Sequence, residues 1–143
     1  AILLNCPDPL QVRDGAVHLY GVAQACALIA LRRGEDAELA AIAGMLHDLS
    51  TYADTYTPDH AARSAALART LLRRLALFSP EEVDQVCAAI ACHSEKAQVH
   101  TAFAEVLLDA DVLQHGLYNP TLFLLEEEVA RFRALQEEFS LAR

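Results

Sequence analysis

The sequence predicts an all-α fold, and three observations carry that expectation. Ala and Leu dominate while Val and Ile are few, a balance that suits helices and suits strands poorly. Apolar residues recur at helical offsets over most of the chain. The five prolines, Pro7, Pro9, Pro58, Pro80 and Pro120, leave helix-sized or larger intervals, and three of them sit beside good helix starts.

These signals place about six helices, at 15–33, 36–48, 59–77, 80–93, 102–116 and 121–140, with a helical turn before residue 14. Gly34 stops the first, because glycine is the usual residue where a helix ends in the left-handed region. Asp36 and Asp59 stand at N-cap positions of the second and third. Ser79-Pro80-Glu81-Glu82 has capping-box spacing, with Pro at the first helical position of the fourth. Ser50 to Pro58 reads as the one extended loop, directly after His47-Asp48, where substrate contacts tend to be placed beside a rigid site. The last helix sets Glu126, Glu127, Glu128, Glu137 and Glu138 among Leu124, Leu125, Phe132, Leu135 and Phe139. It reads as a packing helix with a solvated charged face, or alternatively as a dimerisation helix. With no repeat, low-complexity tract or linker, residues 1–143 read as one domain.

Charge narrows the function classes. Eleven Lys+Arg against twenty Asp+Glu leave a net charge of −9, which offers no general attraction to nucleic acid or to an anionic bilayer. A small phosphorylated ligand stays compatible, since a metal or a few Arg side chains outweigh the mean field locally. No run approaches the ~18 consecutive apolar residues of a membrane span. Ala1-Ile2-Leu3-Leu4 lacks the basic region and sustained apolar core of a signal peptide, and Cys6, Cys26, Cys87 and Cys92 lack C-x-x-C spacing. They read as reduced core thiols of a cytoplasmic protein.

Histidine and aspartate are costly in a core, so those on apolar helix faces carry information. His18 shares a face with Val22, Ala25 and Ile29. His47 follows Leu39 and Ala43, with Asp48 beside it at the helix end. His60 begins a face continued by Ser64, Leu67, Leu71 and Leu75, and His93 ends the stripe of Val83, Val86 and Ile90. Asp111 follows Leu107 and Leu108 by one turn, whereas Asp109 follows Glu105 on a more polar side. Any one of these histidines is more often a hydrogen-bonded packing residue than a ligand. Four imidazoles and two carboxylates from separate helices or helix ends are harder to explain so. One or two divalent cations, drawn from Fe, Mn, Zn, Co and Mg, would satisfy them together.

In order, His18, His47-Asp48, His60, His93 and Asp111 resemble the H…HD…H…H…D signature of the HD superfamily of metal-dependent phosphohydrolases. Ala43-Gly44-Met45-Leu46-His47-Asp48 and Asp109-Ala110-Asp111-Val112-Leu113 fit the same pattern, which extends from about Leu10 to Tyr118. The resemblance implies a helical bundle around a metal held by His18, His47, Asp48 and Asp111. The extra His60 and His93 are similar to the dinuclear branch, in which Asp48 bridges to a second metal. It further implies hydrolysis of a small phosphorylated metabolite or nucleotide by metal-activated water. Lys96 and Arg63 are candidate phosphate contacts, and Asp48, Lys96 and Arg63 form the expected catalytic group. His115 reads as support or packing for Asp111, Glu95 as a solvated turn or proton shuttle, and His100 has no assigned role. A di-iron oxygenase on the same ligands and a non-catalytic helical partner or signalling module are the alternatives. A small phosphorylated substrate and a homodimer are the expected partners.

Overall fold

The computed structural model describes residues 6, 8–53, 58–118 and 124–140. Among them lie seven helices and no strand: α1 (Pro9–Arg33), α2 (Ala37–Leu46), α3 (Leu49–Ala53), α4 (His60–Leu75), α5 (Pro80–Cys92), α6 (Ala102–Tyr118) and α7 (Glu126–Glu138). Six are the expected helices and α3 is an addition.

Helix α1 starts earlier than residue 15, because Asp8 accepts from Leu10 N–H at 2.9 Å and Pro9 fits the first turn. Gly34, with φ at 76°, ends it in the left-handed region. By length and composition α1 is apolar enough to cross a bilayer, yet here it lies against α2 and α6 and buries Leu19, Val22, Cys26 and Ile29. Asp36 caps α2 through Leu39 N–H at 2.9 Å, and the Ser79–Glu82 capping box opens α5. Asp59 departs from expectation: its φ of 54° turns the chain into α4, and its side chain makes no capping bond.

The expected loop after His47-Asp48 is partly helical. Ser50 N–H donates to Ser64 Oγ at 3.1 Å, the Ser64 hydroxyl donates to Ser50 Oγ at 3.0 Å, and the Ser50 hydroxyl donates to His60 O at 2.9 Å. This buried chain of donors holds α3 on the start of α4; residues 54–57 lie outside the described residues. Helix α7 begins at Glu126, later than the expected residue 121, and residues 121–123 also lie outside the described set. Leu135 is its deepest side chain, with Phe139 packed more peripherally.

One core runs through the bundle, from Val22 and Ile29 on α1 through Ala43, Ala68, Val86 and Ile90 to Leu107 on α6 and Leu135 on α7. Two expected details differ. Leu75 is exposed, because the buried row of α4 follows Ser64, Ala68 and Leu72 at steps of four. Cys6 lies outside the core against Gln11, while Cys26 and Cys87 are buried and all four thiols are free.

Close approach of α2 to α1 depends on Gly44. A Cβ at that position would sit 2.8 Å from Ala23 Cα and 2.9 Å from Ala23 N, and helix backbone is the least yielding of neighbours. Gly44→Ala is therefore expected to destabilise the fold by about 1–3 kcal/mol through overpacking. Thermal unfolding followed by circular dichroism checks it; an unchanged Tm would mean that α1 and α2 separate at no cost.

Candidate metal centre

Five helices and one turn deliver polar groups to one buried point. His47 and His93 sit at the C-caps of α2 and α5, where the last carbonyls of a helix lack intrahelical partners. Each ring donates Nδ1–H to the carbonyl three residues earlier, His47 to Gly44 O and His93 to Ile90 O, both at 2.7 Å. A carbonyl only accepts, so the proton is fixed on Nδ1 and a lone pair remains on Nε2. His18, from α1, donates Nδ1–H to Gln114 Oε1 at 2.9 Å and is left in the same tautomer.

The consequence is a pair of lone pairs facing each other, because His18 Nε2 and His47 Nε2 lie 3.1 Å apart. Asp111 Oδ1 lies 3.5 Å from the first and 3.8 Å from the second, and Asp48 Oδ2 lies 3.8 Å from both. On the other side of Asp48, Oδ1 lies 3.4 Å from His93 Nε2 and 3.6 Å from His60 Nε2, which are themselves 3.3 Å apart. Donor atoms sharing one ion at about 2.1 Å sit roughly 3.0–3.4 Å from each other, close to this spacing. Two groups result, joined at Asp48.

Protonation sharpens the case for a cation. Burial pushes the His47 imidazole down to about 4 despite the neighbouring Asp111 and Asp48, so the ring is neutral at neutral pH. Burial alone would raise the Asp48 carboxyl, but the His93 and His47 rings hold it at about 2. Burial opposes ionisation of Asp111 as well, and the Lys96 ammonium beside it prevails, keeping it well below the usual carboxylate range. Both carboxylates are thus ionised, and Asp48 Oδ1 and Asp111 Oδ1 are buried without a hydrogen-bond partner. An orphaned buried acceptor costs about 1–3 kcal/mol, more when charged. A divalent cation satisfies both oxygens and the opposed lone pairs, so the donor set fits one.

The remaining expected residues divide. Lys96 is nearly buried and donates to Asp111 Oδ2 at 2.7 Å and to His93 O at 2.9 Å. His115 joins the centre, with Nε2 3.5 Å from Asp111 Oδ1 and its ring stacked on His18. Arg63 is partly buried one turn beyond His60. His100 bonds to Glu95 O and, through its backbone, to Glu105, away from the centre, and Glu95 is exposed. Asp109 points away as expected, but its side of α6 is covered rather than solvated: it pairs with Arg33 at 2.8 Å and Arg131 at 2.9 Å. A cavity of about 220 Å³ opens against Asp48, His60, His93, Lys96, Asp111 and His115.

The family model described as HD domain matches residues 15–116. The chain belongs to the HD domain family. It is also 31% identical over 121 residues to Ribonuclease Y of Lawsonia intracellularis (strain PHE/MN1-00), an alignment covering 83% of this chain and 22% of that protein. The chain thus spans about a fifth of that relative's length. Among solved structures, a predicted HD superfamily hydrolase from an uncultured Thermotogales bacterium shares the fold, with a TM-score of 0.65 and 23% identity over 97% of this chain and 86% of the other. Helix α7 lies outside the matched segment of the HD domain.

Gln114, Ser50 and the Nδ1 acceptors were not singled out by the sequence reading. Gln114 had a usable signal, since it lies one turn after Asp111 on a face that is otherwise apolar. The acceptors are backbone carbonyls and have none. In this HD domain Asp111→Ala is expected to abolish metal retained with His18 and His47. Asp109→Ala should keep the metal and lose only stability, because Arg33 and Arg131 lose a partner. Metal per chain, measured on both variants after dialysis, checks the pair, and equal losses would contradict the geometry.

Proposed function

We propose that this HD domain is a metal-dependent phosphohydrolase acting on a small phosphorylated metabolite or nucleotide. The observation that carries the reading is the division of Asp48, whose Oδ2 faces the His18–His47 pair while Oδ1 faces the His60–His93 pair. His18, His47, Asp48 and Asp111 would hold one divalent cation, and His60, His93 and Asp48 a second. Such cations stabilise charge on phosphoryl oxygens and lower the pKa of an attacking water.

The chain's own residues supply the rest. Nδ1 bonds to Gly44, Ile90 and Gln114 hold three rings with Nε2 aimed inward. Lys96 lines the cavity and adds positive charge at its wall, so it is the first candidate to contact a phosphate, with Arg63 the second. Hydrolase names among the similar proteins, one of them a ribonuclease, support chemistry at a phosphorus–oxygen bond. The net charge of −9 and the small cavity favour a compact substrate over a polymer.

Metal content of the purified chain, followed by phosphate release from a panel of phosphorylated metabolites with that metal restored, tests the reading. Release is expected with nucleotides or sugar phosphates. Oxygen consumption without phosphate release would replace it by the oxygenase alternative. His60→Ala or His93→Ala is expected to lower saturating Fe or Mn from about two ions per chain to about one. An unmodified chain that saturates at one ion would remove the second site and leave the first.

A further inference from the structure

Helix α7 lies beyond the matched family segment, yet side chains of it reach toward the metal centre. Arg131, mostly buried, donates from Nε to Lys96 O at 2.8 Å and from Nη2 to Gln98 O at 2.9 Å. Its Nη1 donates to Glu105 Oε2 at 2.6 Å and to Asp109 Oδ1 at 2.9 Å. Arg131 therefore ties the backbone of the loop after α5 to two carboxylates of α6. A planar guanidinium reaches four acceptors on two elements, which a lysine ammonium on the same stem cannot do.

The tie matters because the fastened loop carries Lys96. With Lys96 O held by Arg131, the ammonium of the same residue bridges His93 O and Asp111 Oδ2. Asp111 Oδ2 is thereby occupied, and Oδ1 is the oxygen turned toward His18 and His47. One turn before Arg131, Glu128 Oε1 lies 3.6 Å from His115 Nδ1, on the ring that also approaches Asp111 Oδ1. Two residues on one face of α7 thus connect to Asp111 indirectly, Arg131 through the Lys96 loop and Glu128 through His115.

We infer that Arg131 is a positioning residue of the metal centre, acting through the Lys96 loop to orient Asp111 for the cation shared with His18 and His47. The inference rests on the metal reading above and adds a helix to it. Partners that orient a ligand from outside commonly change metal affinity by about 10–100-fold.

The test is titration of the metal-free full chain with manganese by calorimetry, well below the Tm of every variant. Arg131→Met is expected to weaken by about tenfold or more the binding event that Asp111→Ala abolishes. Binding that depends on His60 and His93 should stay unchanged, a split that general loosening of the fold would not produce. Arg131→Lys, the milder variant in case the first fails to fold, should shift affinity in the same direction. Arg32→Met serves as the comparison, because Arg32 ties α1 to α7 through Glu138 without touching the loop or Asp109, and its manganese affinity should match the unmodified chain. Unchanged affinity in the Arg131 variants, or an equal loss in Arg32→Met, overturns the inference while leaving the metal reading intact. An unmodified chain that binds no manganese overturns both.

Discussion

His18 and His47 place two imidazole lone pairs 3.1 Å apart at a largely buried point, with ionised Asp111 and Asp48 beside them. Among the described residues Lys96 neutralises Asp111 from its far oxygen and leaves the near one without a hydrogen-bond partner. The arrangement persists because the surrounding helices force the groups together, and a cation is the guest that would relieve it. His18, His47 and Asp111 are each locked by a bond on the other side, from Gln114, Gly44 and Lys96, so the core supplies the rigidity and these donors receive no freedom to turn away.

That rigidity starts from local features of the helices. A histidine at a helix C-terminus finds free carbonyls one turn back, and satisfying one of them aims Nε2 past the helix end. His47 and His93 use the same device on α2 and α5, and the two helices pack against each other, so the two Nε2 atoms reach a common region. Gly44 accepts the His47 bond and, lacking a side chain, also lets α1 approach closely enough for His18 to meet His47. One residue thus serves the packing and the site. On the other side, the Ser50–Ser64 chain of hydroxyls fixes the start of α4, and with it His60, against the turn that carries Asp48.

The helices were legible in the sequence because their capping residues and apolar rows are local properties. Asp36, Ser79 and Gly34 act as their types suggest. Where local logic failed, a tertiary contact decided. Helix α3 forms in a polar stretch because Ser50 finds partners on α4. Asp59 forgoes its capping bond because the chain must reverse there. Among site residues, the choice of Asp111 over Asp109 followed from helical phase, and the two do point to different neighbours. The environment of Asp109 was not legible, since its partners come from Arg33 of α1 and Arg131 of α7, and no periodicity of α6 announces what packs on it.

Lys96 brings an ammonium into the cavity of an acidic protein with a charge of −9, and it shares that cavity with Asp48, Asp111, Glu127 and Glu128. It is the lone lysine of the sequence and is nearly buried, so its field acts in a medium of lower dielectric than water and is little screened by salt. Several carboxylates outside the cavity are already paired, as Glu105 and Asp109 are with Arg131 and Glu138 is with Arg33. Mean charge therefore governs what the whole surface attracts, while the charge of the cavity depends on what the carboxylates beside Lys96 hold. The two act at different distances, so an acidic exterior that repels long polyanions does not by itself keep a small anion from a cavity whose carboxylates are engaged by a cation.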